Sequence, residues 1–209
     1  MTTARKIANI LLETEAVKLS PNAPFTWSSG WKSPIYCDNR ITLSDVDGRT
    51  FIKKALAKAI KKHFPDVDLV AGVATAGIAQ GALVADYLKV PFAYVRPKPK
   101  EHGMGNQIEG KIVKGQKVVV LEDLVSTGGS SLKAVEALRA AGIEVIGMIS
   151  VFTYGLKVAG INFQEADVPL VTLSNYNFLI DEARKQQYVK ESDIASLKKW
   201  RRSPEKWGS

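Results

Sequence analysis

Between residues 68 and 154 the chain alternates uninterrupted apolar runs with helical patterns, and few folds accommodate that alternation. DLVAGVAT (68–75), FAYVR (92–96), KVVVLED (117–123) and EVIGMISVFTY (144–154) read as strands. GIAQGALVADYLK (77–89) and SLKAVEALRAAG (131–142) read as helices between them. A strand that is apolar at nearly every position has both faces buried. Strands of that kind, joined through helices, form a parallel sheet covered on both sides, which makes the fold class α/β. Such sheets bind ligands beyond the carboxyl ends of their strands. Chemistry is therefore expected around and after Asp123, not in the middle of the sheet.

The flanking regions read less uniformly. Residues 4–19 carry Ile7, Ile10, Leu11 and Val17 at roughly helical spacing. In FTWSSGWKSPIYCDNR (25–40), aromatic and β-prone residues flank Ser29-Gly30, which predicts two short strands around a turn. From Val46 to Phe64 the residues Phe51, Ile52, Ala55, Leu56, Ala59 and Ile60 form one apolar helical face, with Ser44 or Asp45 as its cap. Residues 97–111, PKPKEHGMGNQIEGK, hold two prolines, three glycines and five charged side chains, a composition that predicts neither packed helix nor strand. A loop of that length inside a compact domain is characteristically a mobile lid.

Composition sets outer bounds. With 209 residues, 45% hydrophobic and 24% charged, and no repeat or linker, residues 1–209 are expected to form one domain. No apolar run approaches the ~20 residues needed to cross a bilayer, so no membrane partner is expected. The N-terminal segment reads as a helix and not a signal peptide. The lone cysteine, Cys37, has no partner for an internal disulfide, which fits a cytoplasmic protein. A net charge of +8 suits an enzyme that gathers polyanionic metabolites as well as it suits a nucleic-acid binder. The basic residues are dispersed except at KKWRR (198–202), which reads as a solvated helix end, so no nucleic-acid partner is expected.

VVVLEDLVSTGGSS (118–131) carries the chemistry. Thr127, Gly128, Gly129 and Ser130 lie between a strand and a helix expected to begin near Ser131. Glycines let backbone N–H groups converge without Cβ obstruction, and the start of a helix adds a positive dipole end. Hydroxyls of Ser126, Thr127 and Ser130 add donors, and the whole turn suits a terminal phosphate. The motif is neither G-x-x-x-x-G-K-[ST] nor G-x-G-x-x-G. Glu122 and Asp123 would repel a bare phosphate but accept bonds from sugar hydroxyls. A sugar phosphate satisfies both halves of the motif.

This stretch resembles the phosphoribosyl-pyrophosphate (PRPP) motif of type I phosphoribosyltransferases. FTWSSGWKSPIYCDNR is similar to the base-binding segment of the orotate phosphoribosyltransferase family, and RPKPKEHG to its catalytic loop. The three occur in the expected order, and the likeness covers most of residues 1–180. It implies the type I fold, a central parallel sheet flanked by helices, with residues 1–45 forming a small hood over the base site. It implies transfer of the phosphoribosyl group from PRPP to orotate, giving orotidine 5′-monophosphate and pyrophosphate with inversion at C1. The transition state of that reaction resembles an oxocarbenium ion, so anions beneath the ribose and cations around pyrophosphate both stabilise it. Carried over by position, Glu122 and Asp123 engage the ribose hydroxyls, with Asp123 the main electrostatic contributor, and Leu124, Val125, Ser126, Thr127, Gly128, Gly129 and Ser130 cradle the 5′-phosphate. Arg96, Lys100 and His102 grip pyrophosphate, with Lys100 and His102 catalytic. Ser126, Ser28 and Tyr36 face orotate, and Cys37 lies along the ring. The resemblance also implies magnesium held mainly through substrate, without a dedicated protein cage, and a homodimer whose loop reaches the partner's site.

The sequence departs from these relatives at three places. Ala74-Thr75-Ala76-Gly77 lacks a lysine that assists pyrophosphate binding in some of them, so backbone N–H groups are expected to serve. Tyr154 stands where they place an arginine that meets orotate. Pro97 replaces one loop lysine, leaving Lys98 and Lys100. Arg40 is a candidate orotate partner or one half of a structural ion pair, and Trp27, Trp31 and Tyr36 suit either the base site or the core. His63 reads as exposed. Cys37 is not expected to be a nucleophile, because no histidine base is implied beside it. Two other readings stay open at this point: a phosphoribosyltransferase for another nucleobase, and a PRPP-sensing regulator that binds nucleic acid.

Overall fold

The computed structural model describes residues 1–27, 30–99 and 107–207. Its centre is a six-stranded sheet in the order β10-β9-β8-β5-β6-β7, built from β5 (Leu69–Val73), β6 (Phe92–Val95), β7 (Ile108–Glu109), β8 (Lys117–Val125), β9 (Glu144–Thr153) and β10 (Leu170–Asn175). The first five strands of that order run parallel, and only β7 pairs antiparallel, against β6. The strands read from continuous apolar runs are the buried ones: every residue of β5 is buried, as are Val118 to Glu122 of β8.

Two cores result, one per face. Val119 and Leu121 pack with α1 (Thr3–Glu13), α2 (Val46–His63), α3 (Ala76–Leu88), α6 (Tyr176–Lys185) and α7 (Ile194–Arg202). Val118 and Val120 pack with α4 (Gly129–Ala140) and α5 (Lys157–Glu165) on the other face. The odd–even split along β8 is the two-residue period of a strand. Close approach of α3 to the sheet depends on missing side chains. A Cβ on Gly77 would lie 2.6 Å from the Leu121 carbonyl oxygen, and one on Gly72 would lie 2.7 Å from that of Gly77.

Helix α1 packs in the core on one face, against α6 and β10, and the short strands after it form a smaller layer. A hairpin of β2 (Phe25–Thr26) and β3 (Lys32–Ser33) surrounds the predicted turn, and β1 (Val17–Leu19) pairs antiparallel with β4 (Ile35–Cys37). A 3-10 segment, Asn39–Ser44, leads into α2, with Asp45 at the cap position but without a side-chain cap bond.

Four expectations are corrected. Val17 is not helical: α1 ends at Glu13, and Val17 opens a strand opposite Cys37. Residues 97–111 do contain strand, since Ile108 and Glu109 pair with Val95 and Tyr94, and the Arg96 N–H bonds the Gln107 carbonyl at 2.9 Å. Helix α4 starts at Gly129, so the second glycine of the motif belongs to it. KKWRR is not simply solvated: Lys198, Lys199 and Arg202 are exposed, but Trp200 is fully buried. Elements α5, β10, α6 and α7, after Thr153, lie beyond the part of the chain where the alternation is legible.

Candidate active site

Strands β5 and β8 lie side by side, so the turns after them open onto the same space. Together they line a cavity of about 320 Å³ bounded by residues 73–76 and by Glu122, Asp123, Leu124 and 126–131. The first turn contains a cis peptide between Ala74 and Thr75 and runs straight into α3. The second runs into α4 through Gly128, whose φ of +86° favours glycine; a Cβ there would also lie 2.7 Å from the Phe163 ring. Neither helix has a side-chain cap bond at its N-cap residue, Thr75 or Gly128. Two sets of first-turn N–H groups, each at a positive dipole end, are therefore left for a ligand in one cavity.

The acidic pair lies between these helix ends. Strand β8 continues to Val125, so the pair belongs to the last turns of the ladder and not to the loop after it. Glu122 turns toward α4: its Oε2 accepts from Ser131 Oγ at 2.9 Å and its Oε1 from the Asp123 N–H at 3.1 Å. Only 5% of it is exposed. Burial first, then the neighbouring Asp123 charge, push the Glu122 carboxyl well above the usual range, although the Ser131 bond opposes this. Asp123 is half-buried, and burial raises its carboxyl too. Two carboxylates this close do not both ionise easily. Burial raises both, and the Asp123 charge adds to the push on Glu122. Sequence reasoning missed Asn39, whose Nδ2 donates to the Asp123 carbonyl at 2.8 Å and so ties the hood to the strand of the acidic pair. A single asparagine in a short 3-10 segment carries no local signal of that role.

A second cavity, of about 530 Å³, adjoins the first and shares Leu124, Ser126 and Thr127 with it. Its other walls are Thr26, Trp27, Trp31, Tyr36, Cys37 and Tyr154. The Trp27 and Tyr154 rings stack with centroids 5.1 Å apart, and Tyr36 lies 5.7 Å from Phe25. Burial pushes the Tyr154 hydroxyl and the Cys37 thiol well up, so both walls stay neutral. A protonated thiol whose Sγ donates to Asn39 Oδ1 at 3.4 Å is no nucleophile. The chamber is aromatic and uncharged, with hydroxyls at its junction with the first.

The motif residues thus divide. Glu122, Asp123, Leu124, Ser126, Thr127, Gly128, Gly129 and Ser130 all border the first cavity. Val125 does not. Its side chain is fully buried beneath the turn, and its carbonyl accepts from Thr153 Oγ1 at 3.0 Å and the Tyr154 N–H at 3.2 Å. Arg96 borders neither cavity: its Nη1 pairs with Glu109 Oε1 at 3.5 Å along the β6–β7 hairpin. Arg40 forms a two-pronged pair with Asp38, at 2.6 and 2.7 Å, and is the structural ion pair of the two options. Ser28, Lys100 and His102 lie outside the described residues.

The model of the phosphoribosyl transferase domain matches residues 47–187. An orotate phosphoribosyltransferase of Cytophaga hutchinsonii is 56% identical over 207 residues, covering 99% of each chain. That of Listeria innocua is 57% identical over 208 residues, covering 100% of each chain. The solved orotate phosphoribosyltransferase of Aeropyrum pernix superposes with a TM-score of 0.76 at 32% identity, covering 88% of this chain and 99% of that one. With two anion-ready helix ends, an acidic pair between them and an aromatic chamber alongside, the chain belongs to the orotate phosphoribosyltransferase family of the phosphoribosyl transferases.

Proposed function

We propose that this protein transfers the phosphoribosyl group of PRPP to orotate, forming orotidine 5′-monophosphate and pyrophosphate in pyrimidine nucleotide synthesis. The observation that carries the reading is the junction of the two cavities at Leu124, Ser126 and Thr127. A sugar lying in the first cavity presents its C1 to a flat ring in the second, which is the contact that bond formation between ribose and base needs.

The residues divide the work as follows. The α4 end, through the amides of Gly129 and Ser130 and the hydroxyls of Ser126 and Thr127, holds the 5′-phosphate. The α3 end after Ala74-Thr75 replaces the absent lysine with backbone N–H groups and holds pyrophosphate. Asp123 accepts from ribose hydroxyls and opposes the positive charge that develops on the ring as the C1–O bond breaks. Glu122, already engaged by Ser131, braces it. Lys100 and His102 are assigned from the family likeness to neutralise the departing pyrophosphate, and Ser28 to meet orotate. Tyr154 and Trp27 give the ring an apolar wall in place of the arginine of other relatives.

Among the described residues no three His, Cys, Asp or Glu side chains group to hold a metal ion. The cavity offers the carboxylates of Asp123 and Glu122 alone, a donor set that suits a hard cation carried mainly on substrate oxygens. Magnesium, when bound, neutralises charge on the pyrophosphate and ribose oxygens. We further place the protein in the cytoplasm, on its lone unpaired thiol, and as a homodimer whose loop serves the partner's site. No helix among the described residues is long and apolar enough to cross a membrane.

The test is to mix protein, PRPP and magnesium with orotate, uracil or hypoxanthine in turn and to follow the ultraviolet absorbance of the base. Loss of orotate alone is expected. Consumption of uracil or hypoxanthine without orotate overturns the substrate assignment.

A further inference from the structure

The C-terminal helix borders neither cavity, yet it bonds both elements that build the aromatic wall of the base chamber. Trp200 is fully buried beneath the stacked pair, presenting itself edge-on to Trp27 (centroids 5.6 Å apart, planes at 83°) and to Tyr154 (5.6 Å, 90°). Its indole N–H donates to the Lys32 carbonyl at 3.2 Å, in the hairpin that also carries Trp27 and Trp31. The next residue completes the grip: Arg201 Nη1 donates to the Gly155 carbonyl at 2.9 Å, one residue after Tyr154. One turn of α7 therefore bonds the hood on one side and the end of β9 on the other. These are the two elements whose rings form the wall of the chamber. The Trp27 indole N–H donates to the Ile35 carbonyl at 3.2 Å, within the hood. The Trp27 and Tyr154 rings meet only face to face, and Trp200 packs edge-on against both, so it supports their stacking from beneath.

We infer that Trp200 and Arg201 are positioning residues that hold the Trp27–Tyr154 wall of the base chamber in place, so that the C-terminal helix governs affinity for the base through those two rings. The inference rests on the assignment of that chamber to orotate. An aromatic wall stacks on a flat ring only when its face is held in a fixed orientation. Rotamer freedom gained by Trp27 or Tyr154 lowers occupancy of the ring without disturbing the amides at the start of α4 that cradle the phosphate.

Three variants separate positioning from bulk stability. Trp200→Phe keeps a buried ring and removes the N–H donor, Arg201→Gln shortens the reach to Gly155 and removes the charge, and Trp200→Ala leaves a cavity. For Trp200→Phe and Arg201→Gln, KM for orotate is expected to rise about tenfold, as for a lost hydrogen bond at the upper end of its range, with KM for PRPP unchanged. Combining the two should not double the effect, because they hold one wall. Equal rises in both KM values, or a lower Tm with both KM values unchanged, overturn the proposal. Should Trp200→Ala fail to fold, the other two variants still decide the matter. If the wild-type protein itself fails to consume orotate, the assignment of the chamber falls, an outcome distinct from normal orotate use with variants that show no KM split.

Discussion

At Glu122 and Asp123, adjacency in the sequence hides a difference in environment. The Glu122 carboxyl is bonded by Ser131 on α4, while the backbone carbonyl of Asp123 accepts from Asn39 of the hood. Asp123→Asn removes the charge opposed to the developing cation. It should lower kcat/KM for PRPP by about 10²-fold or more, as for loss of one preorganised electrostatic partner, with Tm nearly unchanged. A collapse in Tm with little loss of activity would make the carboxylate structural. Glu122 gives a pH signature. Its folded pKa is raised above the 4.5 of an unperturbed glutamate, so its contribution to stability is complete below that value and is lost as pH rises through the folded value. Glu122→Gln lacks this loss, so its Tm should gain on wild type as pH is raised from acid toward neutral. Parallel Tm curves would refute the assignment of the raised pKa to Glu122. The presence of both carboxylates was legible in the motif. That Glu122 is buried against Ser131 of α4 was not, because the partner lies on the following helix.

Among the elements, contact between α3, β5 and β8 decides where the two anion-binding helix ends sit. The Gly77 position is 2.6 Å, by a built Cβ, from the Leu121 carbonyl, which belongs to the sheet and cannot give way like a side-chain tip. Gly77→Ala should therefore lift α3 off the sheet, cost about 1–3 kcal/mol of stability as overpacking does, and raise KM for PRPP, all readable from chemical denaturation and initial rates. Unchanged stability and KM would show that the helix end has slack. Lys100 belongs to the connection between β6 and β7. Lys100→Ala is expected to lower kcat about 10²-fold or more, as for loss of one charge partner of the leaving group, while Tm stays put. Unchanged turnover would remove the connection from the mechanism. Strand and helix identity were readable here from apolar periodicity, because burial on both faces leaves a strong pattern. Ile108–Glu109 was not: two residues that pair only through their neighbour β6 have no period of their own.

For the molecule as a whole, the proposed dimer makes a quantitative prediction. If the loop of one protomer serves the other's site, Lys100→Ala and Asp123→Asn chains are each nearly inactive, yet mixed dimers rebuild one intact site. Equal mixing after reversible dissociation should restore roughly a quarter of wild-type activity, from half the dimers with one of two sites each. No recovery, with mixed dimers shown to form, would confine the loop to its own protomer. The amino-acid order alone determined the α/β class, the covered parallel sheet and the phosphate-and-ribose motif, because each is written in residues close together along the chain. The C-terminal helix has a partial signal, since Ile194, Leu197 and Trp200 recur at helical spacing within a basic run, but its destination has none. The walls of the base chamber come from residues 26–37, 124–127 and 154, braced by 200 and 201, and Val125 and Arg96 turn away although their neighbours in the motifs suggest otherwise. Those outcomes follow from packing between segments distant in the chain, where side-chain volume and carbonyl position, not local pattern, select the partner.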